Sequence, residues 1–373
     1  MGPMGETMKV HERPGGNGIT GILPAMDSGR FCIGTLFFAR TRIGTGLLGL
    51  LAGVGLLVGL TACQPDSPKI VHRSELHMGT TVTITVVAAD SNKAQSALDL
   101  GFAEVAAMEA IFSSYRTDSD LARVNAAAGD TPVTVPEPFI ALLEHARTVA
   151  WQSHGAFNPL VGPAIKRWGI PEAPRVPSDT ELAELRSLLD LSEIHINPIH
   201  GEVYLARPGM ALGLGGIAKG FSADRVVARL KEYGILAGIV AVAGDVTTFG
   251  QRPDGAPWRI GVRNPKGGDA PLRQLALSDG AVSTSGDYER FFELDGVRYH
   301  HILDPRTLHP ARAGLTAVSV IAPSGVLADG YATALFVMGS RAGVALVEQL
   351  DGVEALFVTD TGAVITTGGW PDG

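Results

Sequence analysis

The chain has 373 residues, 45% apolar and 18% charged, with 47 glycines and two cysteines. It is long enough to bury a large core without disulfides or a structural metal, and its composition is globular. Its 30 basic against 38 acidic side chains give a net charge of −8, which excludes the cationic footprint that drives binding to phosphate backbones, so no nucleic-acid partner is expected. Cys32 and Cys63 stand too far apart for a CxxC redox pair, and two cysteines are too few for a cysteine-built zinc site.

In chain order the first feature is an address. The eighteen residues from Ile43 to Leu60 carry no charge, follow Arg40 and Arg42, and run into Leu60-Thr61-Ala62-Cys63. This is the layout of a secretory hydrophobic segment. Its length also approaches that of a membrane span, but six glycines and the small residues at its end favour cleavage. Leu60 to Cys63 resembles the bacterial lipobox, which implies a diacylglycerol on the Cys63 sulfur and a cut just before it. Residues 1–62 are therefore expected to be leader, 63–70 the lipidated cysteine and tether, and 71–373 one catalytic unit. Met26 offers a more ordinary start than Met1. Gln64 does not resemble an inner-membrane retention signal, so the expected place is exported, periplasmic and membrane-anchored, with the outer membrane as default. Without the leader's five basic and three acidic residues, 25 basic side chains face 35 acidic ones, a net charge of −10.

Thr81 to Ala88 alternates Thr with Val and Ile, the period of a strand with one buried face. Leu98, Phe102, Val105, Met108 and Phe112 recur at helical spacing over Asn92 to Ser113, and Phe139, Leu142, Leu143, Ala146 and Ala150 do the same before Trp151. Pro171 to Pro177, Arg252 to Pro257 and Pro265 to Pro271 read as surface loops. Hairpin turns are expected at His200-Gly201, Asp295-Gly296 and Thr361-Gly362. Helical patterns at Ala218 to Tyr233 and Leu327 to Leu350 lie among these strands, so the fold class is α+β with a mainly antiparallel sheet and packed helices.

Three segments carry candidate chemistry. Gly213 to Gly220, GLGGIAKG, joins a strand-like run to a helix, and such a turn offers backbone N–H groups and a favourable dipole to an anion. The loose G-x-G-x-x-A match lacks the parallel βαβ units of a dinucleotide fold, although Asp245 stands where an acidic residue would be wanted. A Walker A loop fails because Gly220 follows Lys219, and a tight turn without a ligand is the bland alternative. Asp329 and Thr333, four apart on a helix, share one face and can share a hard cation such as Mg²⁺. The bland alternative makes Asp329 an N-terminal helix cap. Alternation puts His300 and His301 on opposite faces, and His301 reads as a single acid, base or phosphate donor, or else as an ordinary strand histidine.

Taken together, these segments resemble the FAD:protein FMN transferase (ApbE) family. The matching motifs run in order: Met78-Gly79-Thr80, Phe112 to Tyr115 with Ser119 to Asn125, Gly155 to Gly162, Leu214 to Gly220, Trp258 to Gly261, Thr284 to Arg290, His301 to Thr307, and Asp329 to Gly339. The resemblance implies an ApbE-like, T-fold-related unit that binds FAD, holds Mg²⁺ at the pyrophosphate, and transfers FMN to a threonine hydroxyl of an acceptor protein with loss of AMP. It implies a metal site at Asp329, Thr333 and the Gly216 carbonyl, with Lys219 and the glycine-loop amides on the same phosphate oxygens. Met78, Tyr115, Ala156, Phe157, Asn158, Lys219 and Ile302 match positions that contact FAD. His301 is the candidate base for the acceptor hydroxyl, and the acceptor implied is a protein of a membrane redox complex.

Three positions depart from the family pattern. Gly213 takes the place of an Asp, so that polar FAD contact is missing or comes from another residue such as Asp245. Leu308 replaces the glycine of Asp-Pro-Arg-Thr-Gly, which suggests a reshaped loop near the acceptor entrance. Ala332 stands where some members have a second acidic neighbour of the metal. The same constellation with water as nucleophile gives an FAD pyrophosphatase, and without turnover a flavin-binding lipoprotein.

Overall fold

Alternating Thr with Val and Ile does build a strand, and it lies in the interior of a large sheet. The computed structural model describes residues 9–12 and 67–371; Ile43–Leu60 and Cys63 lie outside them. In chain order the elements are β1 (Lys9–Glu12), β2 (Lys69–His77), β3 (Thr80–Ala88), α1 (Ser91–Phe112), α2 (Asp120–Ala126), β4 (Val133–Thr134), α3 (Glu137–Gln152), α4 (Gly162–Trp168), α5 (Asp179–Leu185), β5 (Ile194–Asn197) and β6 (Glu202–Leu205). There follow α6 (Ala218–Glu232), β7 (Gly238–Val242), β8 (Asp245–Phe249), β9 (Trp258–Val262), β10 (Arg273–Leu277), β11 (Gly280–Gly286), β12 (Arg290–Leu294) and β13 (Val297–His300). The chain closes with β14 (Leu315–Ala322), α7 (Gly325–Met338), α8 (Ser340–Val347), β15 (Glu354–Thr359) and β16 (Val364–Thr366).

Eight strands form the main sheet in the order β16-β15-β14-β11-β8-β7-β3-β2, antiparallel at every step. The expected class holds, and so do the hairpins β5–β6, β12–β13 and β15–β16 at the three predicted turns. Both faces of the sheet are covered. Val82, Ile84, Val86, Val240 and Val242 pack under α1 and α6, while Ile239, Ala241, Val246, Val282 and Val358 meet β9, β10 and Trp370 on the other side. Period-two alternation therefore buries every residue of β7. It also buries Thr83 and Thr85 at 4% exposure, where one open face was expected, because Ser74 and the neighbouring strands cover them.

A second core joins α3, the small sheet β4-β6-β5 and α7 to the main sheet through one continuous cluster that includes Phe139, Trp168, Val203 and Phe336. Two readings of the sequence change, at Leu327–Leu350 and at α4 and α5. The helical pattern Leu327–Leu350 is two helices, broken at Gly339, whose φ of +81° ends α7. Strand β2 opens with Lys69 paired with Ala88. Residues Lys9–Glu12, inside the expected leader, pair with β12. Helices α4 and α5 were not foreseen, although α5 begins with a capping box between Ser178 and Glu181.

Candidate functional site

The glycine turn is aimed by its neighbours. Asn125 grips the backbone of Leu212 from both sides, with its amide donating to the carbonyl at 3.0 Å and its oxygen accepting the N–H at 2.7 Å. One residue on, the Gly213 N–H donates to the Pro159 carbonyl at 2.7 Å. A Cβ on Gly213 would stand 3.0 Å from Ile165 Cδ1 and 3.2 Å from the Gly162 nitrogen, so this turn lies backbone to backbone against the 155–162 loop. The chain then enters α6, carrying Lys219 on its first turn.

Opposite, α7 carries Asp329 and Thr333. Its first helical residue is Gly325, so Asp329 sits in the second turn and is no N-terminal cap. The cap comes from α6: Asp224 accepts the N–H groups of Gly325 at 2.7 Å and Val326 at 2.9 Å. A side chain at Gly220 would collide with the Gly325 carbonyl, so the two helices touch at bare backbone. Packed this way, Lys219 Nζ lies 3.3 Å from both oxygens of Asp329, and the Gly220 N–H donates to Asp329 Oδ2 at 3.1 Å. Thr333 Oγ1 lies 3.4 Å from the Gly216 carbonyl, and a Cβ on Gly216 would come within 2.7 Å of that hydroxyl. The three implied cation ligands therefore meet, and the glycine is what lets them.

Three residues join them that the sequence reading had not placed there. Asp245, at the start of β8, puts Oδ2 2.7 Å from Lys219 Nζ and accepts a hydrogen bond from Ser283. Ser285 Oγ is 3.4 Å from Thr333 Oγ1. Asp245 is expected either as the acidic residue of a dinucleotide fold or as a substitute for the polar group missing at Gly213; what it contacts is the lysine. The signal was weak, an Asp after the apolar run Gly238–Val242.

The electrostatics are uneven. Burial and the Asp245 charge raise the pKa of Asp329, with Lys219 opposing them. Burial disfavours the Lys219 ammonium, but the two carboxylates outweigh it and the net shift is upward. Two buried carboxylates thus face one ammonium, and with both ionised the cluster carries one excess negative charge, which a bound cation would offset. The donors are a carboxylate, a hydroxyl and a carbonyl, all hard oxygens of the kind Mg²⁺ prefers. Among the described residues no group of three His, Cys, Asp or Glu side chains could hold a metal, so any such ion relies on these oxygens, water and ligand.

The histidines separate as alternation predicts. His300 is buried, stacks edge-on to Phe336, faces the Ala311 carbonyl with Nε2 at 3.0 Å and accepts the Ile302 N–H on Nδ1. It is a packing residue, held near pKa 4 chiefly by burial. His301 turns the other way. Its Nδ1 lies 3.2 Å from the Arg290 carbonyl, which can only accept, so Nδ1 carries the proton and Nε2 keeps a lone pair. Burial first, then the Arg290 charge, lowers its pKa to about 3, so the ring is neutral at physiological pH.

The remaining predicted contacts are spread around this centre. Met78, at φ +52°, donates its N–H to Glu109 Oε1 at 2.9 Å. Tyr115 is 60% exposed and accepts from Arg290 Nη1 at 3.4 Å. Ala156, Phe157 and Asn158 are buried in the loop after α3, and both ends of the Asn158 amide are engaged, to the Leu189 carbonyl and the Leu160 N–H. Ile302 is buried beside the histidines. Leu308 keeps the turn its departure had put in question, because it adopts φ +63° itself, fully buried, with Trp168 Nε1 donating to its carbonyl at 2.7 Å. A separate cleft of about 560 Å³ lies farther along α7, between Met338 and the side chains of Arg306, His309 and Arg312. It holds none of the predicted site residues.

Residues 78–357 match the model of the ApbE family. The FAD:protein FMN transferase of Treponema pallidum (strain Nichols) is 38% identical over 333 residues, 85% of this chain and 90% of that protein. One from Klebsiella pneumoniae (strain 342) is 32% identical over 80% of this chain and 92% of its own length. Among solved structures, the ApbE protein of Thermotoga maritima superposes with a TM-score of 0.75 at 33% identity, covering 80% of this chain and 97% of that one. The apo flavinyl transferase ApbE of Pseudomonas stutzeri gives 0.73 at 32%, with 81% and 95% covered. A match that spans the glycine turn, both acidic residues and the histidine pair, in chains of nearly equal extent, places this chain in the ApbE family.

Proposed function

We propose that this protein transfers FMN from FAD to a threonine hydroxyl of an acceptor protein, releasing AMP. The observation that carries the reading is the convergence of Lys219, Asp329, Thr333 and the Gly216 carbonyl where the start of α6 meets the middle of α7, in a chain similar to proteins named FAD:protein FMN transferase. The N–H groups at the start of α6 and the Lys219 ammonium bind the pyrophosphate oxygens and hold the FMN phosphorus in place. His301 Nε2 takes the proton of the acceptor hydroxyl, whose oxygen bonds to that phosphorus as the bond to the AMP oxygen breaks. Mg²⁺ held by Asp329, Thr333 and Gly216 supplies charge neutralisation at the pyrophosphate. Tyr115 offers a flat, accessible ring for the flavin to stack on.

The same proposal extends to place and partner. Arg40, Arg42, the uncharged run to Leu60 and the Leu-Thr-Ala-Cys ending support export, lipidation of Cys63 and anchoring in the periplasm, where an acceptor in a membrane redox complex is within reach. Growth with a labelled fatty acid is expected to mark the wild type and not Cys63→Ala. Purified protein incubated with FAD, Mg²⁺ and a flavin-acceptor domain encoded near its gene is expected to release AMP and leave flavin fluorescence on the denatured acceptor. Release of AMP without that fluorescence would instead assign hydrolysis, and FAD binding with neither would assign a carrier.

A further inference from the structure

Arg290 connects two parts of the site and has no part assigned to it. Its backbone carbonyl fixes His301 through Nδ1, at 3.2 Å. Its side chain meets a different residue, with Nη1 3.4 Å from the Tyr115 hydroxyl. One long bond to a neutral phenol employs little of a guanidinium that has five N–H donors. Glu12 stands opposite Arg290 in the register of β1 and β12; among the residues whose side chains are described, which do not include Glu12, no carboxylate pairs with Arg290, whereas Lys219, whose charge also reaches His301, is met by two. Arg290 is half-buried, and a cation withdrawn from water without a counter-charge is costly unless an anion arrives to complete it.

We propose that Arg290 is a substrate-binding residue that receives a phosphate oxygen of the flavin nucleotide. The inference rests on the flavin-transferase reading and extends it: with Lys219, Arg290 is a second cation whose charge reaches the neutral His301 ring. The planar guanidinium fork fits a phosphate through two parallel hydrogen bonds. Its position beside Tyr115 places it at the FMN half of FAD, away from the adenosine. The anion that completes the site is then the substrate's own, and the protein recognises a phosphorylated flavin by charge as well as by stacking. The positive surroundings agree with the lowered basicity of His301.

Titration of the purified protein with FAD, FMN and riboflavin, followed by flavin fluorescence, separates the alternatives. In Arg290→Gln the affinities for FAD and FMN are expected to fall about tenfold or more, the loss of one charge-assisted contact, while riboflavin binding changes less than about twofold on the same scale. Arg290→Lys, which keeps the charge without the fork, is expected to recover part of the loss for both phosphorylated ligands. Unchanged FAD affinity in Arg290→Gln overturns the proposal, as does an equal loss for riboflavin, which would make the contact one to the ring. Riboflavin binding retained in the variant, with an unshifted melting transition, shows that the fold is intact. A wild-type protein that binds none of the three overturns the flavin reading itself, and this assignment with it.

Discussion

At the scale of single residues, the site is a charge imbalance held in place by close approach. Asp329 is 2% exposed and uses both oxygens, on Lys219 and on the Gly220 N–H. Replacing it with Asn removes the carboxylate of the cation site and leaves Lys219 still paired with Asp245 at 2.7 Å. AMP release by Asp329→Asn is therefore expected to drop at least about a hundredfold, with a melting temperature within a few degrees of wild type; near-normal turnover would remove Asp329 from the mechanism. Leu308 tests a different balance. Its left-handed φ of +63° costs about 1 kcal/mol that glycine would relieve, but the side chain is fully buried, and truncating such a leucine costs about 2–5 kcal/mol. Burial wins, so Leu308→Gly should unfold at lower urea concentration than wild type, even though glycine suits the turn.

Among the elements, α7 matters most, since one helix carries Asp329, Thr333 and the packing partner of His300. Its own N-terminal residue Ser324 makes no side-chain cap; Asp224 on α6 caps it from a hundred residues away in sequence. Asp224→Ala is expected to cost about 1–2 kcal/mol, as for other lost caps, and also to slow AMP release by letting the start of α7 fray beside Asp329. Loss of stability with full activity would show that the cap does not position the site. How much of this was legible follows from the range of each interaction. Local signals worked: the Asp329–Thr333 spacing, the Thr-Val alternation of β3 and the Gly-containing hairpin turns each depend on residues a few positions apart. Long-range ones did not. Asp245 reaches Lys219 only because β8 lies beside α6, and Arg290 reaches Tyr115 across 175 positions; no pattern along the chain encodes either. The break at Gly339 escaped because apolar residues continue at helical spacing on both sides of it.

Across the whole molecule, two imidazoles, the buried His300 and the half-buried His301, tie stability to pH. The unfolded chain takes up protons on His300 and His301 near pH 6.5, whereas the folded protein holds them off until about pH 4 and 3. Below pH 6.5 the unfolded state thus binds more protons, so stability falls as the pH drops from about 6.5 toward 4. His300→Gln, which cannot titrate, should lose less melting temperature than wild type between pH 7.5 and 4.5; parallel losses would place the acid sensitivity elsewhere. Packing at this scale is also what makes the molecule one unit, since a single hydrophobic cluster passes from the small sheet through α7 into the large one.

The order of strands in the main sheet sets a working distance. The edge strand β2 begins at Lys69, while Asp245 opens β8, three strands in. Three inter-strand steps amount to about 14 Å, and the register sets Asp245 level with Glu75, six residues or about 20 Å along β2 from Lys69, so the two stand about 24 Å apart; the six residues from Cys63 to Lys69 stretch to about 20 Å at most. A protein tied to a lipid leaflet at Cys63 would therefore act only in a layer a few nanometres deep above the bilayer. A threonine displayed on a tall stalk beyond that layer would stay unmodified, so the geometry of the leash, as much as the chemistry of the cleft, would decide which acceptors are served.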